Sequence, residues 1–235
     1  SSFKSLKVLN FANNRIGLGF AHIFSPAHKQ LRENLEFLDL SGNNLTLVME
    51  DSEGLKGALV KATEGAYPNA MTCSMFPRLK TLLMKSLLGD LGSNRVSGFL
   101  ETLFIKPTTA AALSPVLFPV LTKLDLASSG PFLASSFRQL CNPDISSLPS
   151  TLEELSVPQS AAAPASISSV VDETAGGGGG GGGGVLPLSR LTKLKHLHIT
   201  PNGYVSGMQY LLGDTEIDAL TAGLRQLEVF IFWGG

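Results

Sequence analysis

Leu35-Glu36-Phe37-Leu38-Asp39-Leu40-Ser41-Gly42-Asn43-Asn44-Leu45 is the stretch on which the reading of this 235-residue chain turns. Its alternation Leu38-x-Leu40 has the period of a short strand with one face turned inward. Leu35, three residues before Leu38, turns into the same interior. Where the strand ends the chain must bend, and backbone groups are left inside without ladder partners. A buried unpaired carbonyl or amide is costly. Asn43, eight residues after Leu35, has an amide that both donates and accepts, which suits that position.

The frame recurs along the chain. It appears as Leu6, Leu9, Phe11 and as Leu35, Leu38, Leu40, then as Leu79, Leu82, Met84 and as Leu100, Leu103, Ile105. It continues as Leu121, Leu124, Leu126 and as Leu152, Leu155, Val157, and ends as Leu194, Leu197, Ile199 and Leu227, Phe230, Phe232. Eight residues after the first leucine a polar residue returns as Asn14, Asn43, Thr108, Ser129, Ser160 and Asn202, with Leu87 as a gap. Three residues before it, an apolar residue occurs as Phe3, Phe76, Phe118, Leu191 and Leu224. One unit of this kind cannot bury its own apolar side, whereas stacked neighbours form a continuous core. Serine and threonine replace asparagine only in part, so a weaker ladder is expected in the middle of the chain.

These eight copies resemble the leucine-rich repeat family, and the resemblance covers nearly the whole chain. It implies an α/β fold, a curved solenoid of about eight repeats. A parallel β-sheet is expected on its concave face and irregular helices and loops on its convex side. It also implies a protein–protein interaction module, a scaffold or adaptor that contacts partners through the concave face and outer insertions. A regulatory or substrate-recognition subunit of an enzyme system is an alternative: a ubiquitin-ligase receptor, a phosphatase regulator or a small-GTPase regulator. A structural subunit of a large assembly is another.

The spacing of first leucines runs 29, 44, 21, 21, 31, 42 and 33 residues, against about 20–29 for this class of repeat. Nine consecutive glycines, Gly176 to Gly184, fall in the interval of 42, and without them it would match the next interval of 33. With the neighbouring Ala- and Ser-rich sequence they predict a flexible insertion over residues 160–186 within a single domain spanning 1–235. The glycines are not a phosphate-binding loop, because the Lys-Ser/Thr pair that such a loop needs is missing. The interval of 44 predicts an outer helix between Thr46 and Ala66, and a second helix is expected over Thr215–Leu224. The chain carries no polar capping unit at either end, so the natural protein is expected to be longer, or its last exposed edge to be covered by a partner.

Composition narrows the function classes. Hydrophobic residues make up 43% of the chain, charged residues 16%, and the mean hydropathy is +0.20. A surplus of that size excludes a disordered chain. It is not a membrane signal either, since the longest apolar run, Ala110 to Leu121, is broken by Ser114, Pro115 and Pro119. Thirty-nine leucines supply the surplus, and the repeat buries them. The net charge of −1 leaves no basic footprint for nucleic acid. Two cysteines, Cys73 and Cys141, cannot build a disulfide scaffold or a four-cysteine zinc site. No catalytic motif is present, so no enzyme activity and no cofactor are expected. The formal glycosylation acceptor Asn44-Leu45-Thr46 reads as the way this repeat leaves its strand. Without cysteine-rich caps or a signal sequence, an intracellular, cytoplasmic location is expected.

In such a fold the residues between the leucines face outward on the concave side. The expected protein-binding residues are therefore Phe37, Asp39, Leu83, Phe104, Lys123, Asp125, Glu154, His196 and His198. Phe37, Leu83 and Phe104 form an apolar stripe suited to a partner surface. Asp125, Glu154, His196 and His198 have metal-ligand chemistry in principle. Solvated polar residues on a recognition surface are the simpler reading, and no metal is expected.

Overall fold

The computed structural model of the chain describes residues 5–14, 16, 23, 28–43, 75–86, 103–104, 117–127, 148–158, 188, 191–200, 218 and 222–232. Seven strands form one sheet: β1 (Val8–Asn10), β2 (Phe37–Asp39), β3 (Thr81–Leu83), β4 (Lys123–Asp125), β5 (Glu154–Pro158), β6 (His196–Thr200) and β7 (Val229–Phe232). Their order in the sheet is their order in the chain, and every neighbouring pair is parallel. This is the α/β solenoid expected from the repeat: each copy adds one strand beside the last.

Each strand starts two residues after the first leucine of its copy, so the middle leucines fall into one register row. Leu9, Leu38, Leu82, Leu124, Leu155, Leu197 and Phe230 pair across the sheet in that order. From Leu38 to Leu197 this row is buried, together with the first leucines Leu35, Leu79, Leu121, Leu152 and Leu194 and the third-position residues Leu40, Met84, Leu126, Val157 and Ile199. They form one continuous core, with Leu9 and Phe230 packed against it from the outermost strands.

The turn into each strand explains the apolar residue that precedes the frame. The N–H groups of Leu79, Leu121, Leu152, Leu194 and Leu227 donate to the carbonyls of Phe76, Phe118, Pro149, Leu191 and Leu224, three residues earlier. Pro77 and Pro119 occupy the second position of such turns, where their fixed φ is already right. The bend tucks Phe76, Phe118, Leu191 and Leu224 beneath the sheet, all of them buried. In the second copy this place belongs to Arg32, on the short helix α1 (Lys29–Asn34). Its side chain is also buried, and Nη1 donates to the Ile23 carbonyl at 2.7 Å. A long aliphatic stem fills the apolar slot while the head finds a backbone acceptor.

The turn out of each strand shows a second regularity. Asn13, Gly42 and Ser86 stand at the same frame position and all have positive φ, +58°, +68° and +47°. Each continues the inter-strand ladder beyond the strand: Asn13 N–H donates to Ser41 O, Gly42 N–H to Lys85 O and Ser86 N–H to Ala127 O. Asn43 lies directly beneath. It is fully buried, its Nδ2 donating to the carbonyls of Phe11 and Leu40 at 2.8 Å each. The expected asparagine ladder is thus present at this copy. Asn14 differs: it is exposed and donates only within its own turn, to Phe11 O and Ala12 O.

One expected repeat is not a strand. Leu82 and Leu124 are direct register partners, so β3 pairs with β4 and nothing from the copy at Leu100–Ile105 enters the sheet between them. Leu103 and Phe104 are helical and buried. The Phe104 ring centroid lies 5.4 Å from that of Phe118, which in turn stacks on Phe76 at 5.4 Å. Leu103, the middle leucine of that frame, serves the core from a helical position instead. Phe104 is therefore a core residue and not part of an outward stripe.

The helix expected between Thr46 and Ala66, the insertion at 160–186, and Thr108, Ser129, Ser160 and Asn202 lie outside the described residues. Of the helix expected over Thr215–Leu224, Asp218, Ala222, Gly223 and Leu224 are described, and the first three are helical.

Candidate functional site

A strand buried on one side offers its alternate residues on the other. Here they make two register rows on the open face of the sheet. The first is Val8, Phe37, Thr81, Lys123, Glu154, His196 and Val229, and the second is Asn10, Asp39, Leu83, Asp125, Ser156, His198 and Ile231. Eight of the nine expected binding residues stand in these rows: Phe37, Asp39, Leu83, Lys123, Asp125, Glu154, His196 and His198. Phe104 does not.

The face is divided into zones. Across β1–β3 the apolar residues Val8, Phe37 and Leu83 alternate with Asn10, Asp39 and Thr81, and Val8 is 59% exposed. Lys123, Glu154, Ser156, His196 and His198 make a polar centre across β4–β6. Val229 and Ile231 return to apolar character on β7.

The polar centre is internally paired. Lys123 forms an ion pair with Glu154. His196 Nδ1 lies 3.8 Å from the other oxygen of the same carboxylate. Lys85 Nζ is 3.0 Å from Asp125 Oδ2, and Asp125 is buried, 6% exposed. Asp125 also has work within its own turn, where Oδ1 accepts from Ala127 N–H at 3.0 Å. Asp39 Oδ1 accepts from Ser41 N–H at 2.9 Å in the same way, and Asn10 Oδ1 from Ala12 N–H at 2.8 Å. A short polar side chain at this frame position therefore shapes the turn besides facing outward. Among the described residues no group of three or more His, Cys, Asp or Glu side chains is placed to hold a metal ion.

A row of charges beside the open face was not foreseen. The residue after each first leucine reads Lys7, Glu36, Lys80, Thr122, Glu153, Lys195 and Glu228. Lys7 lies 2.9 Å and Lys80 3.4 Å from Glu36, and Lys195 lies 3.0 Å from Glu153. Hydrogen bonds from Lys7 and Lys80, reinforced by their charge, hold the Glu36 carboxyl below its usual range. The hydrogen bond with Glu153 pushes the Lys195 ammonium up. The signal was available as alternating sign at one fixed frame position, visible once the copies are aligned on their leucines.

The family model described as Leucine Rich Repeat matches residues 34–55, which contain β2 and Asn43. That match joins seven parallel strands in chain order over a leucine core. The chain carries a leucine-rich repeat. The family model detects one repeat, and the sheet shows six more strands built on the same frame. No curated protein matches the chain as a relative. A leucine-rich repeat suggests an interaction module with protein partners. Among the described residues, no helix is long and apolar enough to cross a membrane.

Proposed function

We propose that this leucine-rich repeat protein is a non-catalytic scaffold or adaptor that binds a protein partner on the open face of its sheet. The observation that carries the reading is the mixed character of that face. Large apolar residues at Val8, Phe37 and Leu83 stand beside a polar centre fixed by internal ion pairs. Apolar anchors provide binding energy when covered, and a pre-ordered polar neighbourhood adds discrimination at little ordering cost. The rigid sheet holds both in register.

The test is site-specific photocrosslinking of the intact protein in its native cell extract. A photoreactive amino acid at position 37 or 198 is expected to capture the same partner polypeptide. One placed at the buried position 104 is expected to capture none. Partners that crosslink only from residues away from the two rows would overturn the reading.

A further inference from the structure

Asp39 differs from the carboxylates around it. Glu36, Asp125, Glu153 and Glu154 each hold a lysine. Asp39 Oδ1 accepts the Ser41 N–H, and no cation pairs with Asp39 among the described residues. Yet it is half-buried, with Asn10 as its register partner on β1 and apolar side chains at its other open-face neighbours Phe37 and Leu83. Phe37 precedes it by two residues on β2, about 7 Å away on the same side of the strand. Leu83 is its register partner on β3, and Val8 pairs with Phe37 from β1. A carboxylate partly desolvated by such neighbours interacts with a cation more strongly than one in open water.

We infer that Phe37, Asp39 and Leu83 form a subsite for an arginine side chain of the protein partner, an arginine flanked by apolar residues. The inference rests on the open face being the binding surface. Charge and shape select the occupant. The negative charge of Asp39 calls for a cation, and the apolar neighbours call for a side chain with a greasy stem. A guanidinium can lie flat on the Phe37 ring while its N–H groups reach the free Asp39 oxygen, a geometry that a compact, strongly hydrated ammonium meets less well. Apolar residues beside the arginine would cover Val8 and Leu83. The polar centre offers no comparable place, because Lys123 already occupies Glu154 and Lys85 occupies Asp125.

The experiment selects binders to the full chain from a displayed library of random twelve-residue peptides. The best sequences are then remade synthetically and titrated by calorimetry. Peptides with an arginine between apolar residues are expected to dominate, and replacing that arginine by citrulline should weaken binding at least tenfold. Asp39→Asn should produce the same loss with an unchanged unfolding midpoint, because Asn10 fills the equivalent turn position with the same side-chain acceptor. Phe37→Leu should erase the preference for arginine over lysine. Selected peptides without a basic residue, equal binding of lysine versions to the unaltered chain, or insensitivity to Asp39→Asn would each overturn the subsite. If binding then still responds to His198→Ala, the open face remains the binding surface and only the arginine assignment fails. Peptides insensitive to both Asp39→Asn and His198→Ala would overturn the two readings together.

Discussion

Asn43 and Phe11 are 32 residues apart in the chain, yet the Asn43 side-chain amide donates to the Phe11 carbonyl at 2.8 Å. The same Nδ2 donates to Leu40 O at 2.8 Å, and Oδ1 accepts from Ile16 N–H at 3.4 Å. One buried side chain thus ties two successive turns of the solenoid together. The bond to Phe11 O crosses between copies, whereas the bond to Leu40 O closes the turn of Asn43's own copy.

Asn43→Ala is expected to cost about 2 kcal/mol, since the buried Leu40 carbonyl loses this donor and a void replaces the amide. Phe11 O retains a second donor, Asn14 Nδ2 at 3.0 Å, which limits the damage on that side. Asn14→Ala should cost less than about 1 kcal/mol, because its bonds are exposed and compete with water. Urea denaturation of the two variants checks the order. Equal costs would mean that the position, and not burial, sets the contribution.

Gly42 shows how closely the same two turns approach. Its φ is +68°, and a Cβ added there would lie 2.2 Å from Asn13 Oδ1 in the preceding copy. Gly42→Ala is therefore expected to destabilise by about 2–3 kcal/mol, combining left-handed strain with a clash. Asn13→Gly removes the clashing atom and should restore the clash part in the double variant, leaving about 1–2 kcal/mol of strain. A double-mutant cycle measures this, and additive effects would show that the contact does not matter.

Much of the fold was legible because its periodicity is chemical. Seven of eight leucine frames became strands, and the buried leucines, the outward rows and the Asn43 bond followed from the same frame. The copy at Leu100 was misread for a physical reason. Leucines three apart fit both a repeat strand and one side of a helix, and only the direct β3–β4 pairing separates them. Helix α1 was invisible because its six residues are too short for periodicity and no side chain caps its start. On the site, Asp39 and Asp125 were legible as outward residues, but their turn hydrogen bonds depend on backbone geometry.

That misreading yields a sharp contrast between two phenylalanines. Phe104 is fully buried against Phe118, so Phe104→Ala should cost about 3–5 kcal/mol through lost transfer energy and the remaining cavity. Phe37→Ala on the open face should cost less than about 1 kcal/mol while weakening partner binding. Thermal and chemical unfolding of the pair checks both. Comparable losses would return Phe104 to the outward stripe.

The charge row beside the sheet makes stability depend on pH at both extremes, with opposite signs. Lys7 and Lys80 depress the folded-state pKa of Glu36 below its unfolded value. The Glu36 contribution is therefore present above the ordinary carboxylate range and is lost as pH falls through the folded value. Lys195 has a raised folded-state pKa, owed first to its hydrogen bond with Glu153. Its contribution is full below the ordinary lysine range and disappears as pH rises through the folded value. Glu36→Gln should then flatten the acid limb of a stability profile and leave the alkaline limb alone, while Lys195→Met does the reverse. Both groups are exposed to water, so 1 M salt should shrink both effects. Denaturation midpoints followed from pH 3 to pH 11 in low and high salt give the readout. An acid limb that Glu36→Gln leaves unchanged would mean that other carboxylates, not this lysine-flanked one, set the acid sensitivity of the solenoid.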